Sequence, residues 1–248
     1  MIILTIFFFI TAILYASVGF GGGSTYLALM LIWEIPYYIF PIIALFCNII
    51  VVSGNSINFI RSGNINLKLI LPYLVGSVPF AFIGASISLE KEIFEILLFL
   101  VLIIAGFFLL LESNTFNKKD LKINSISTIF SIFIGSLIGF VSGLVGIGGG
   151  IFLSPILFLL KAGYPKHITS SASLFILINS IFGVVGQLTK EIVLNEFLNY
   201  WPLFLAVLIG GQIGNYLNIK FLSNKALALL TSLLIIFVAI RMGLRILF

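Results

Sequence analysis

Two glycine clusters are the residues of this chain best suited to chemistry. Val18-Gly19-Phe20-Gly21-Gly22-Gly23-Ser24 and Val145-Gly146-Ile147-Gly148-Gly149-Gly150-Ile151 share one pattern, 127 residues apart. Three consecutive glycines destabilise a helix interior by roughly 2–3 kcal/mol, so each cluster reads as a break. A helix restarting after the break turns its unpaired N–H groups and positive dipole end toward it. Without a Cβ in the way, a ligand can come close to those amides. That is chemistry for holding a small anion. The candidates are Gly21, Gly22, Gly23 and Ser24 in the first cluster, and Gly148, Gly149, Gly150 and Ile151 in the second. Asn48, Ser170, Ser171 and Ser173 join them, because they lie on the helix that follows each break. Buried amides and hydroxyls of this kind also glue helices together, and that reading stands beside the first.

The solvent that must surround these residues follows from composition. The 248 residues are 61% hydrophobic and 8% charged, with a mean hydropathy of +1.28, where soluble domains carry about 25% charge. Too little polarity exists to clothe a soluble enzyme, a disordered chain or a nucleic-acid binder, and the single Cys47 excludes a disulfide scaffold. A polytopic membrane protein remains, and its first partner is the lipid bilayer. No nucleic-acid partner is expected from the net charge of +5, since the basic residues sit in short loops. Enzyme chemistry fails on inventory: no G-x-x-x-x-G-K-[ST], no G-x-S-x-G, no embedded Asp pair or His, and no metal-ligand cluster. The expectation is a non-enzyme with no cofactor and no metal. His167 is expected in a solvated turn.

Charge-free stretches give the elements. Most hold one span of about 20 residues; Met1–Trp33 and Ile123–Leu160 are too long for one, and each carries a glycine cluster. The spacing predicts a helix over 2–18, a short helix over 24–33, and spans at 40–60, 68–88 and 93–111. It then predicts the same series at 125–144, 151–160, 168–188, 199–219 and 225–246. Pro72 and Gly84 answer Pro202 and Gly214 at an offset of 130. The chain therefore reads as a single transmembrane domain built by duplication: repeat 1 about 1–112, linker 113–123, repeat 2 about 124–248. The G-x-x-x-G spacings of Gly135, Gly139 and Gly143, and of Gly210 and Gly214, read as helix packing. The first segment has no basic n-region and is expected to stay in the membrane.

If each glycine-broken pair returns to the face it entered, nine basic residues share one side and Lys91, Lys190, Arg241 and Arg245 share the other. A single crossing would separate charge less well. Three crossings per half is an odd number, so the fold class expected is an all-α polytopic protein of two inverted repeats. Each repeat has a Gly-broken helix pair plus three full spans. Both termini face outside the cytoplasmic (inner) membrane.

At this point the glycine motifs, with Phe152-Leu153-Ser154-Pro155 after the second and Ser170-Ser171-Ala172-Ser173 beyond, resemble those of the TauE/SafE family of sulfite-exporter-like permeases. The resemblance covers the whole chain; Ala28 stands where the second motif has Pro155. It implies passage of a small sulfur-containing or organic anion. With no carboxylate, Lys or Arg in mid-span, the anion's own charge would cross the field, as potential-driven efflux needing neither Na⁺ nor a pH gradient. An anion channel, or a non-catalytic subunit of a larger complex, is the alternative reading, and a homo-oligomer is compatible with either. The topology has a direct test. On a Cys47→Ala background, Asn117→Cys and Gly163→Cys should be labelled from the cytoplasm, and Glu196→Cys from outside. Opposite labelling of Asn117→Cys and Gly163→Cys would make the repeats parallel.

Overall fold

The computed structural model describes residues 1–115, 124, 126–190, 196–218, 236 and 240. The expected helix at 225–246, apart from 236 and 240, and residues 116–123 of the expected linker lie outside the described residues. Every regular element among the described residues is helical: α1 (Ile2–Ala16), α2 (Gly23–Ile32), α3 (Phe40–Arg61), α4 (Leu67–Ser86), α5 (Lys91–Thr115), α6 (Thr128–Val145), α7 (Gly150–Leu159), α8 (Pro165–Gln187) and α9 (Trp201–Asn218). Single 3₁₀ turns, Tyr37–Ile39 and Leu198–Tyr200, lead into α3 and α9. Four helical segments among the described residues are long and apolar enough to cross a membrane: Tyr37–Arg61, Leu67–Ser86, Thr128–Val145 and Lys166–Gln187.

Local chemistry sets the ends. Gly22 and Gly149 precede α2 and α7 with φ of 87° and 78°, a left-handed conformation that a side chain disfavours. Pro41 and Pro165 stand in the first turns of α3 and α8, where the missing N–H costs nothing. The Asn66 side chain accepts from Leu69 N at 3.3 Å and caps α4. Three boundaries differ from expectation by three residues or more. α5 continues to Thr115, through Glu112-Ser113-Asn114-Thr115, because no Gly or Pro stops it there. α6 starts at Thr128 after the extended Ser127. α8 starts at Pro165, which draws Lys166 and His167 from the expected turn into its first turn.

Both glycine breaks close antiparallel hairpins. In the first, the rings of Phe7 and Trp33 lie 5.5 Å apart, those of Phe8 and Tyr26 4.7 Å apart, and the Tyr15 and Thr25 hydroxyls 2.7 Å apart. In the second, Asn124 Nδ2 donates to Leu160 O at 3.2 Å, and a Cβ on Gly149 would lie 2.8 Å from Ile138. Large apolar side chains cover the outside: Ile6 and Ile10 on α1, Leu71 and Val75 on α4, Phe133 and Leu137 on α6 are exposed. Polar groups are turned inward, with Asn48, Ser56, Ser77, Ser170, Ser171, Ser173 and Gln187 fully buried. That is the arrangement a lipid solvent selects.

The broadest contacts are α4 with α6 and α1 with α9. Both depend on glycine. A Cβ at Gly135, Gly139 or Gly143 would overlap the carbonyls of Tyr73, Ser77 and Ala81 on α4; one at Gly210 or Gly214 would overlap those of Phe9 and Ile13 on α1. The packing expectation for these five glycines is met. Gly84 likewise meets the Phe140 carbonyl, and Phe140 stands 127 residues beyond Ile13, the separation of the glycine clusters. The loops gather at two ends. Arg61 and Lys166 share a cavity wall at one, while Lys190 and Tyr37 share one at the other. Tyr37 there also lines a cavity with Lys91.

Gly139→Leu should push α4 from α6 and lower stability by about 1–3 kcal/mol, read as a lower Tm in detergent. Gly163→Ala, whose Cβ would make an ordinary 3.5 Å contact with Leu69, should stay within about 0.5 kcal/mol of the parent. Equal effects would refute the close-packed seam.

Candidate functional site

The two breaks meet around one side chain. Asn48, in the middle of α3 and fully buried, donates from Nδ2 to the Ile147 carbonyl at 2.9 Å. A Cβ on Gly23 would lie 2.7 Å from both Asn48 Nδ2 and Ile147 O, and one on Gly148 would lie 2.8 Å from Asn48 Nδ2 and from Ser180 Oγ. A Cβ on Gly21 would overlap Asn48 Oδ1. Glycine is required at all three for the amide to sit where it does. On the α8 side, Gly150 faces Ile176 instead, with no space for a Cβ.

Around this point polar groups outnumber their partners. The amides of Gly23, Ser24, Gly150 and Ile151, in the first turns of α2 and α7, donate to no acceptor among the described residues. Asn48 Oδ1 and the neighbouring Ser180 Oγ are buried without a hydrogen-bond partner among the described residues, as are Ser171 Oγ and Asn179 Oδ1 elsewhere on α8. Buried polar groups are nearly always paired, so unpaired groups beside both breaks stand out. The free donors there are backbone amides at helix N-termini, and donors suit an anion.

Not every candidate from the sequence comes to this centre. Gly21, Gly23, Gly148 and Asn48 do, while Gly150 packs on Ile176 and Ala172 of α8. Gly22 and Gly149 face into their own hairpins, toward Thr11, Tyr15 and Tyr26, and toward Ile138 and Phe175, so they shape the breaks from behind. Ser24 and Ile151 are buried in the first turns of α2 and α7. Ser173 Oγ lies 3.3 Å from Ser56 Oγ and joins α8 to α3. Ser170 sits near one end of the bundle, donating to Asn64 O at 2.7 Å. His167, expected in a solvated turn, is drawn by the start of α8 at Pro165 to the same carbonyl, with Nδ1 2.8 Å away. The Ile147 carbonyl and Ser180 are additions. Ser180 is seven residues beyond Ser173, two turns along the same helix face, and that spacing was the available signal.

A cavity of about 740 Å³ opens at the Lys190 end, lined by Tyr37, Tyr38, Pro41, Ser86, Phe94 and Lys190 among others. Tyr38 OH donates to both carboxylate oxygens of Glu196 at 2.8 Å. Lys190 Nζ donates to Ile87 O at 2.8 Å, closing the C-terminus of α4, and to Gln187 Oε1 at 3.1 Å. Partial burial lowers its pKa to about 8.

Residues 4–242 match the family described as Sulfite exporter TauE/SafE. The chain belongs to that family. Among curated relatives of this TauE/SafE protein, the probable membrane transporter protein y4hK of Sinorhizobium fredii is 28% identical over 94% of each chain. The probable membrane transporter protein YunE of Bacillus subtilis is 23% identical over 96% of this chain and 95% of its own. The probable membrane transporter protein MJ0441 of Methanocaldococcus jannaschii is 31% identical over 74% and 70%. No solved protein structure matches the chain. The protein is thus an integral membrane transporter of the TauE/SafE family.

The Lys190 ammonium gives this TauE/SafE protein a pH signature. A lysine whose folded pKa is depressed binds fewer protons than the unfolded chain between the two values, so stability rises with pH there. The Tm in detergent should climb from pH 8 toward the ordinary lysine pKa of 10.5. Lys190→Met should remove that part of the slope. An unchanged slope in the variant would place the titration elsewhere.

Proposed function

We propose that this transporter moves a small anion, a sulfur oxoanion or an organic anion, across the cytoplasmic membrane. One observation carries the reading: the two breaks meet at the buried Asn48, which bridges to the Ile147 carbonyl, and the first amides of α2 and α7 donate to no acceptor among the described residues. Donors without a fixed cation hold an anion without trapping it. Gly21, Gly23 and Gly148 form the cradle, Asn48 ties its two sides together, and Ser180 offers a hydroxyl beside it. The family's description as a sulfite exporter favours a sulfur oxoanion as cargo. The glycines of both breaks are buried, which favours a carrier that alternates access over an open channel.

The two repeats run in opposite senses through the bilayer in this reading, with both termini outside. The equivalent seats of Gly84 and Gly214, against carbonyls one repeat-length apart, support the duplication. The grouping of Arg61 with Lys166 at one end, and of Lys190 and Lys91 at the other, supports the sidedness through the positive-inside rule. Each hairpin then reaches the cradle from its own face. No charged side chain among the described residues stands at the cradle, so transport in this reading is electrogenic. One charge across 100 mV is worth about 2.3 kcal/mol, or roughly a 50-fold gradient.

The test is sulfite and sulfate flux in proteoliposomes, with the potential clamped by valinomycin and K⁺. Efflux that follows the clamp and ignores Na⁺ and pH gradients is expected. Asn48→Leu should cut flux by about tenfold or more, the scale of one lost buried hydrogen bond, with an unchanged elution profile in detergent. Flux indifferent to potential would make the protein a coupled carrier. Unitary currents in a planar bilayer would make it a channel, and no flux without a partner would make it a subunit. Wild-type flux in Asn48→Leu would remove the cradle from the pathway.

A further inference from the structure

A second, separate feature lies at the end of the bundle opposite Lys190. A cavity of about 600 Å³ there is lined by Arg61, Lys166, Asn55, Asn58 and Asn215, with Phe59, Ser62 and Asn64 in its wall and no carboxylate among the described residues that line it. Neither Arg61 nor Lys166 makes an ion pair or side-chain hydrogen bond among the described residues. Lys190 at the other end differs, since its ammonium is held by the Ile87 carbonyl and the Gln187 amide.

Two further observations turn the pair of cations into a site. Asn55 is 2% exposed and Asn215 6% exposed; the Nδ2 atoms of both, and Asn215 Oδ1, have no hydrogen-bond partner. Two amide donors are therefore held without an acceptor in the wall that carries two unpaired cations. Lys166 also breaks a local rule. It stands in the first turn of α8, which has no acidic residue, and a cation there opposes the helix dipole. Such conflicts are retained where something offsets them, and an anion between Lys166 and Arg61 would do so.

We infer that Arg61, Lys166, Asn55 and Asn215 form an anion-capture site at this mouth, distinct from the Asn48 cradle. Its ligand is a small oxoanion or carboxylate. The guanidinium offers the paired donors that a planar or tetrahedral oxyanion accepts, Lys166 adds a point charge, and the two amides complete the shell from the buried side. Asn55 lies seven residues from Asn48 on the same face of α3. An anion leaving the capture site toward the cradle would pass along that face. Its role in transport rests on the proposed function; its existence as a site does not.

The experiment is titration of the full-length protein in an uncharged detergent with sodium sulfate, and separately with sodium acetate, at ionic strength held constant with sodium chloride. Binding is followed by calorimetry. Saturable binding of at least one of the two is expected. Arg61→Gln with Lys166→Gln should weaken it at least about tenfold, and Asn55→Leu should weaken it while both cations remain. Gly163→Ala, outside both sites, should leave it unchanged. Saturable binding that survives the double substitution, or that is lost only in Asn48→Leu, would overturn the site, as would the absence of saturable binding of both anions to the parent. The two proposals separate cleanly. Anion flux without binding at Arg61 retains the transport reading and removes this one; binding at Arg61 without anion flux does the reverse.

Discussion

A backbone group inside hydrocarbon has no water to bond with, and the rest of this structure follows from that constraint. A break in mid-membrane exposes amides that nothing local can satisfy. Two such breaks can persist only if each is enclosed by the remainder of the protein. The hairpins answer by burying every glycine of both clusters, and α3 supplies the one side chain that reaches across, Asn48 to the Ile147 carbonyl. The amides left over are the ones a ligand would use. The enclosure that makes the breaks tolerable also brings the two clusters together around Asn48.

The enclosure needs rigid walls, and these come from backbone-to-backbone packing. Lipid tails give apolar side chains little reason to leave them, so close approach must provide the attraction. Gly135, Gly139 and Gly143 lay α6 along the carbonyls of α4, and Gly210 and Gly214 do the same for α9 on α1. Ser136 adds a bond from its hydroxyl to Gly76 O at 3.3 Å. Each of these seams joins an early helix to a late one. The hairpin arms α1 and α6 are thus each clamped to the other portion of the chain, and neither cluster can be enclosed until both portions are present.

Much of this was legible in the sequence. The breaks, the short helices and the packing glycines follow from local rules, because glycine runs and G-x-x-x-G spacings act through the backbone and carry their meaning wherever they stand. The identity of the bridging residue was legible only by its type. Asn48, Ser170, Ser171 and Ser173 look alike as polar residues on a helix after a break. Which of them meets the glycines depends on helix rotation and depth, and those are set by tertiary contacts. Ser170 is drawn to Asn64 at one end, whereas Asn48 lies level with Gly23. Ser180 and the Ile147 carbonyl were hidden for the same reason, the latter because a main-chain oxygen has no signature in a sequence. The Pro72–Pro202 correspondence also fades in three dimensions, since Pro72 lies inside α4 while Pro202 lies in the first turn of α9.

The duplicated parts are not identical where they meet. Gly23 faces Asn48, while Gly150 faces the aliphatic Ile176. The centre is thus bridged from one side only. A motion that draws the breaks apart must give up the Asn48 bond, and the surroundings of that bond differ on its two sides. A carrier with two matching gates would run equally well in both directions under mirrored gradients. If the proposed transport runs through this centre, the half-saturating concentration and the maximal rate at zero potential should differ between inward and outward flow.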